Sequence, residues 1–318
     1  LAERHDQPRI VVVGSVHTDF VAVAERLPVA GETMPGMRFS THPGGKGGNQ
    51  AVAAARAGGR AMMLGRVGAD AFGASLRGAL AAAGVDVSWL RDDPEEPTGA
   101  SAVLSADGGD YCSVIVPAAS TRLSVDDIGE ARSAFDAAAV VIAQLEIPLE
   151  PTHAALISGK QVGCVTILNA APAPKRYAAI PTDMWAAVDV LVANRVEVGM
   201  LLGQESAGLT DIELAGAVRV RCGIGLAVVT LGSRGVAAAT LDDRWFEPGH
   251  AVTVSDAVGA GDAFVGTFAV ALGLGLGLRT AVRRANAAGA ISVTRVGGYG
   301  SSPTAGDVDA FLAQLPLP

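Results

Sequence analysis

The segment Asp256-Ala-Val-Gly259-Ala260-Gly261-Asp262-Ala-Phe-Val-Gly266 joins a glycine loop, a carboxylate and the start of an apolar run. It follows Ala251–Val254, whose alternation predicts a strand, and it opens a helix from Asp262. A glycine loop at a helix start aims several backbone N–H groups at one point, and the helix dipole adds positive potential there. Such a point suits an anion. Asp262 sets a carboxylate beside it, where like charge repels. Two readings explain that placement: a helix N-cap, which Asp fills well, or a general base working next to a bound anion. A dinucleotide fingerprint does not fit, because the spacing differs and the segment lies far from the first strand–helix turn.

A second glycine run, Pro43-Gly44-Gly45-Lys46-Gly47-Gly48-Asn49-Gln50-Ala51, opens an alanine-rich helix. It is not a P-loop, since no glycine stands at the needed distance before Gly45-Lys46 and no Ser or Thr follows the lysine. On residue types alone it is either a backbone that approaches a polar ligand closely or a helix-start turn with a solvated lysine. The cysteines Cys112, Cys164 and Cys222 form no C-x-x-C pair, and the histidines His5, His17, His42, His153 and His250 are scattered. Neither zinc nor a redox centre is expected. An odd cysteine count in a chain of 318 residues fits a reducing cytoplasm.

These segments need a scaffold. Ile10-Val-Val-Val-Gly14 reads as a buried strand, and Ala61–Leu64, Val140–Ala143, Val162–Leu168, Val190–Val192 and Ala227–Leu231 repeat the pattern. Helical stretches lie between them: Asn49–Ala57, Ala71–Ala83, Thr152–Ile157, Glu213–Cys222 and Leu278–Val293. Strand and helix alternating at this spacing predict an α/β protein with a mostly parallel sheet flanked by helices. Residues 16–43 and 97–117 break the rhythm. The second reads as a hairpin turning at Asp107-Gly108-Gly109-Asp110, and together the two predict a small separate β-sheet. The core is then 1–15, 44–96 and 118–318.

Half the residues are hydrophobic but only 4% are aromatic, so the core must be built from Ala, Val and Leu. A net charge of −8 argues against a nucleic-acid partner. The polar start, Leu1 to Arg9, does not read as a signal peptide. The longest apolar run, Phe264 to Leu278, is too short and too glycine-broken for a membrane span.

Taken together, Gly44-Gly45-Lys46-Gly47-Gly48-Asn49-Gln50-Ala51-Val52-Ala53-Ala54-Ala55-Arg56 and Asp256-x-x-Gly259-Ala260-Gly261-Asp262 resemble the two signatures of the ribokinase family of sugar kinases, also called the phosphofructokinase-B type. The resemblance runs nearly the whole chain. It includes Val12-Val13-Gly14-Ser15-x-x-x-Asp19, Pro28-x-x-Gly31-Glu32-Thr33, Gln144-Leu145-Glu146-x-Pro148-Leu149-Glu150, Asn169-x-Ala171-Pro172-Ala173, Asn194-x-x-Glu197 and Thr230-Leu231-Gly232-Ser233-Arg234-Gly235.

The resemblance implies a Rossmann-like core with a small β lid, and transfer of the γ-phosphate of ATP to a primary hydroxyl of a small sugar. Asp262 would take the hydroxyl proton, and the N–H groups of Gly259, Ala260 and Gly261 would hold the transferring phosphoryl. Asp19, Gly45, Lys46, Asn49 and Glu146 would contact or frame the sugar. Asn194 and Glu197 would serve the phosphates and the waters of magnesium. Thr230, Gly232, Ser233 and Gly235 would line the nucleotide, with Asn286 near the adenine. Asp256 and Ser301, with backbone oxygens near Val258 and Gly297, match the family's monovalent-cation loop, which predicts potassium. A homodimer through the lid follows from the family alone. An Asp of ordinary pKa, about 3.9, is ionised at neutral pH and can accept a proton late in the reaction.

The departures fall on the sugar side. His17 stands where the family usually has Asn, and either contacts the sugar or supports the lid hinge. Ala118-Ala119-Ser120 replaces a Gly-Ala-Asn segment. D-ribose, giving D-ribose 5-phosphate, is the first expected substrate. Another sugar or a nucleoside is the alternative, and a non-catalytic sugar sensor is the alternative from another class.

Overall fold

The computed structural model describes residues 7–106, 111–173 and 180–315. Its elements follow in chain order as β1 (Arg9–Val13), β2 (His17–Ala24), β3 (Arg38–Gly44), α1 (Lys46–Arg56), β4 (Arg60–Gly68), α2 (Ala71–Ala82), β5 (Asp86–Asp93), β6 (Gly99–Ala106), β7 (Tyr111–Val116), α3 (Val125–Glu130), α4 (Arg132–Phe135), β8 (Val140–Gln144) and α5 (Leu149–Gln161). The second half contains β9 (Val165–Asn169), α6 (Thr182–Ala186), β10 (Val190–Asn194), α7 (Arg195–Leu202), α8 (Asp211–Cys222), β11 (Leu226–Thr230), β12 (Gly235–Ala239), β13 (Arg244–Pro248), α9 (Ala260–Gly273), α10 (Leu278–Ser292), α11 (Gly298–Ser301) and α12 (Ala305–Ala313).

The main sheet has nine strands in the order β13-β12-β11-β10-β9-β8-β1-β4-β5. It is parallel except where β12 meets β11 and β13. Side chains on each strand alternate between two cores, as the period of two demands. Ile10 and Val12 join α1, α9 and α10 on one face, while Val11 and Val13 join α3, α4 and α5 on the other. Farther along the second face, Leu168, Leu191 and Val229 pack under α7 and α8. The apolar run from Phe264 is the buried helix α9, which ends at Gly273. Among the described residues no helix is long and apolar enough to cross a membrane.

The chain moves outward from β1 through β4 to β5 on one side, and through β8 to β11 on the other. Strand order therefore reverses between β1 and β8, and ligands of such sheets bind in the crevice at the carboxyl ends of the strands there. Gln144, Asn169, Asn194 and Thr230 are the last residues of β8, β9, β10 and β11, so all four stand on that rim.

A separate four-stranded sheet has the order β3-β2-β6-β7. The two irregular stretches of the sequence supply its strands, and β3 runs on to Gly44, directly before α1. The turn read at Asp107–Asp110 lies outside the described residues. Two strand assignments need correction. Ala251–Val254 forms no strand: its residues are mostly exposed, and among the described residues no partner strand lies past the edge strand β13. Val162 belongs to the end of α5, because Gly163 turns the chain at φ +80° before β9 starts at Val165.

Helices α1 and α9 cross in close contact, and Gly266 is the reason they can. A Cβ on Gly266 would lie 2.5 Å from the Ala53 Cβ and 2.7 Å from the backbone of Gln50 and Ala54. Gly266→Ala should therefore lower stability by about 1–3 kcal/mol, the usual cost of overpacking. In urea the midpoint falls while the slope stays constant. An unchanged midpoint would mean that the two helices have room to part.

Candidate active site

Asp262 lies in the first turn of α9 and is only 7% exposed. Its side chain points away from its own helix, toward α1. Oδ2 accepts from Asn49 Nδ2 at 2.9 Å, and Oδ1 accepts from Gln50 Nε2 at 2.8 Å. The helix N-cap is Gly259, whose φ of +81° is the left-handed geometry that favours glycine. The N-cap reading of Asp262 is thereby excluded. Ala260 N–H leans on the Ala257 carbonyl at 3.4 Å, and the N–H groups of Gly259 and Gly261 have no acceptor among the described residues. A carboxylate and a set of outward N–H groups thus share one helix end.

The ordinary carboxylate pKa expected for Asp262 is also corrected. Burial pushes it upward, Glu146 adds to the rise, and Lys46 with the Gln50 and Asn49 amides opposes it. Lys46 begins α1. Burial disfavours its ammonium, but Asp262, Glu146 and Glu197 together hold it above the usual lysine range. Its half-buried side chain thus lies in the field of three carboxylates. The turn before it is forced by Gly45, at φ +89°, where a Cβ would meet Ser15 O at 2.7 Å. Glu146 seals this turn: Oε2 accepts from Lys46 N–H at 3.0 Å and also from the Ser15 hydroxyl.

The small sheet contributes His17 and Asp19, two residues apart on β2 and so on one face. His17 is 5% exposed, and its Nε2 lies 3.1 Å from Asp19 Oδ1. The Ser101 hydroxyl of β6 donates to the same carboxylate oxygen. Asp19 Oδ2 lies over Gly44, where a Cβ would come within 2.2 Å. Ser120 ties its short helical turn to β2's approach through Val16 O, at 3.4 Å.

Asn194 and Thr230 are register partners on β10 and β11. Asn194 and Glu197 form a capping box on α7: Asn194 Oδ1 accepts from Glu197 N at 2.9 Å, and Glu197 Oε2 accepts from Asn194 N at 2.7 Å. Burial raises the Glu197 pKa, against the pull of Asn194 N–H and Lys46. Gly232, Ser233 and Gly235 form the turn into β12, and Gly235 pairs with Pro248. Asn286 donates to Pro248 O at 2.8 Å, so α10 is fastened to that same turn. Asp256 accepts from Val258 N–H at 2.9 Å and from Gly297 N–H at 3.1 Å. Ser301 is fully buried and donates to Gly298 O at 2.9 Å. All the predicted site residues thus fall into four neighbouring groups around the carboxyl ends of the strands.

Sequence reasoning missed a part of the site. Gln144 and Asn169 meet Gln50 in the interior, Tyr299 packs against Gly48, and Asp211 pairs with both Arg195 and Arg234, bridging the turns after β10 and β11. Gln50, Gln144 and Asn169 stand inside the quoted motifs. Only the fold reveals that they touch.

A model of the pfkB family of carbohydrate kinases matches residues 7–305. The ribokinase of Bacillus subtilis is 32% identical over 305 residues, spanning 96% of this chain and 99% of that protein. The deoxyribokinase of Salmonella typhi is 30% identical over 306 residues, spanning 96% and 98%. The structure of Arabidopsis thaliana ribokinase complexed with ribose and ATP matches with a TM-score of 0.87 and 30% identity, over 98% of this chain and 100% of that one. The fold, a large mostly parallel sheet with a small separate one, is that of the ribokinases. A glycine-led helix end carrying a buried carboxylate, set in this fold and matched along nearly its whole length, means that the chain belongs to the pfkB family of carbohydrate kinases.

Proposed function

We propose that this carbohydrate kinase transfers the γ-phosphate of ATP to the primary hydroxyl of D-ribose, giving D-ribose 5-phosphate and ADP, with Asp262 as general base. The observation that carries the reading is the seat of Asp262: a buried carboxylate held by two amides, beside N–H groups that have no acceptor. Asp262 takes the hydroxyl proton and keeps it. The hydroxyl oxygen forms the new bond to the γ-phosphorus, and the bond from that phosphorus to the bridging oxygen breaks, its electron pair leaving with ADP. The raised pKa of Asp262 makes it a better proton acceptor than a solvated carboxylate. N–H groups of Gly259, Ala260 and Gly261 receive the charge on the transferring group, where one such donor is worth about 10²–10³ in rate.

Asp19, Lys46, Asn49 and Glu146 frame the sugar with Gly45 and His17, and the small sheet, residues 16–43 and 97–117, serves as its lid. Thr230, Gly232, Ser233, Gly235, Asn286 and Asn194 take the nucleotide. Asp262, Glu146 and Glu197 outnumber Lys46, so a nucleotide that brings its own divalent cation fits this charge balance. Glu197, with Oε2 tied to Asn194 N–H, keeps Oε1 for a magnesium-bound water. Magnesium when bound would offset phosphate charge. Asp256 and Ser301 with the carbonyls of Val258 and Gly297 form an all-oxygen donor set that suits a hard monovalent cation such as potassium. Exposed Phe39, Val114 and Val116 on the small sheet support a homodimer through the lid. The free thiols of Cys112, Cys164 and Cys222 support a cytoplasmic setting, and the acidic surface supports no nucleic-acid partner.

A nucleoside fits less well. Phe20 and Phe39 stand on the face of the small sheet opposite Asp19, stacked on each other at 6.4 Å, and Phe20 also meets Phe72. A non-catalytic sugar sensor would have no use for a buried base at an anion site.

Asp262→Asn should lower kcat at least about 10²-fold with the fold intact, since the amide is nearly isosteric. A loss below tenfold would remove Asp262 as base. At matched ionic strength, activity should be higher in potassium than in sodium, and equal rates would remove the cation loop from this account. In a substrate panel read by ADP release, D-ribose should exceed adenosine and 2-deoxyribose by at least about tenfold in kcat/KM, because a site built to bond a hydroxyl rejects analogues that lack it. His17→Asn should then change the ribose KM only a few-fold. If deoxyribose, adenosine or a hexose leads the panel, ribose is not the substrate, and the kinase chemistry is untouched.

A further inference from the structure

The structure assigns Gln50 as the positioning residue of Asp262, an inference that rests on the base role proposed above. The Gln50 side chain is fully buried, and its amide makes three hydrogen bonds. Nε2 donates to Asp262 Oδ1 at 2.8 Å and to Asn169 Oδ1 at 2.9 Å, which uses both its hydrogens. Oε1 accepts from Gln144 Nε2 at 2.7 Å. Asn169 is fixed in turn, its Nδ2 donating to Val192 O at 3.0 Å. Rotating the Gln50 amide by a half turn would bring its oxygen against two other oxygens. The donor aimed at Asp262 is therefore locked by the ends of β8 and β9.

Asn49 differs. It donates to Asp262 Oδ2, but its own Oδ1 is buried without a partner. An amide held from one side only is free to turn its donor to a sugar hydroxyl. Gln50 then remains as the hydrogen bond that keeps the carboxylate in place. Each carboxylate oxygen accepts one amide hydrogen and retains a lone pair for the incoming proton.

The charged and titratable groups facing Asp262 are Lys46 from α1, Glu146 from the turn after β8, Glu197 from α7 and Tyr299 from α11. None changes when Gln50 does. A hydrogen bond to the ionised form lowers a carboxylate pKa, so losing it raises the pKa of Asp262 further. Protonated Asp262 is no base, and activity is then lost at a higher pH on the acidic side.

The test compares pH profiles of kcat for the wild type, Gln50→Leu, Gln50→Glu and Asn49→Ala, with Asp262→Asn as reference and thermal unfolding as fold control. In Gln50→Leu the acidic limb should move up by about one to two pH units, the equivalent of one hydrogen bond to a charged group. In the near-isosteric Gln50→Glu it should also move up, because a second carboxylate disfavours ionisation of the first. Asn49→Ala should raise the sugar KM about tenfold or more while moving the limb less than Gln50→Leu does. If Gln50→Leu does not fold, Gln50→Glu decides. A uniform fall in kcat with the limb unmoved would reduce Gln50 to a packing residue and overturn the inference while leaving the base assignment standing. An active Asp262→Asn would instead overturn the base assignment itself.

Discussion

A carboxylate taken out of water must be met by hydrogen bonds and opposite charge, and the effective cost of leaving it unmet is several kcal/mol. Asp262 sets that demand for this protein. Asn49 and Gln50 of α1 supply hydrogen bonds, and Lys46 supplies the charge. They reach it because α1 and α9 approach to backbone contact at Gly266. Each of these parts is useless without the others. A wider helix crossing would leave the carboxylate unpaired, and a missing carboxylate would leave the half-buried Lys46 with less opposing charge. This mutual dependence explains why the two glycine segments, far apart in sequence, are joined at one point.

The topology makes that point a functional centre. Because strand order reverses between β1 and β8, the segments leaving them open a crevice rather than a packed surface. Gly14 and Ser15 leave β1 on one side, Gln144 ends β8 on the other with Glu146 in the turn that follows, and α1 enters between them. Ser15 and Lys46 N–H both donate to Glu146, which closes the seam across the reversal. The small sheet begins only a few residues after β1, at His17. The same short connection therefore joins the small sheet to the rim of the main sheet. The rim at β10 to β13 is built differently, from successive strand ends fastened by the capping box of α7 and by the Asn286 bond to Pro248.

Much of this was legible because its causes are local. A glycine at φ +89° or +81° leaves a mark in the sequence, and so does a run of buried valines. Gly45, Gly259 and β1 could be placed for that reason. The Gln50–Gln144–Asn169 cluster was not legible. Its contacts depend on β8 and β9 lying side by side with Gln144 opposite Asn169, a register that no single segment encodes. Ala251–Val254 failed for the opposite reason. Its alternation is local and real, but a strand needs a neighbour, and none is available there among the described residues. The raised pKa of Asp262 also escaped sequence reading, since burial is a property of the assembled layers.

The group around Asp19 is restrained separately from the group around Asp262. Asp19 has one oxygen taken up by Ser101 and faced by His17, which leaves the other over Gly44. A carboxylate so restrained accepts hydrogen bonds in a narrow range of directions. On the function proposed above, that would reward a ligand whose hydroxyls have a fixed spacing and penalise one that leaves this half-buried acceptor unpaired. An imidazole at position 17 shares in fixing that direction and fills more space than a small amide. It does so from the small sheet, whereas Asp262 is held by α1 and the main sheet. The two groups of side chains are thus built on separate elements, so a change at position 17 leaves the hydrogen bonds that hold Asp262 in place.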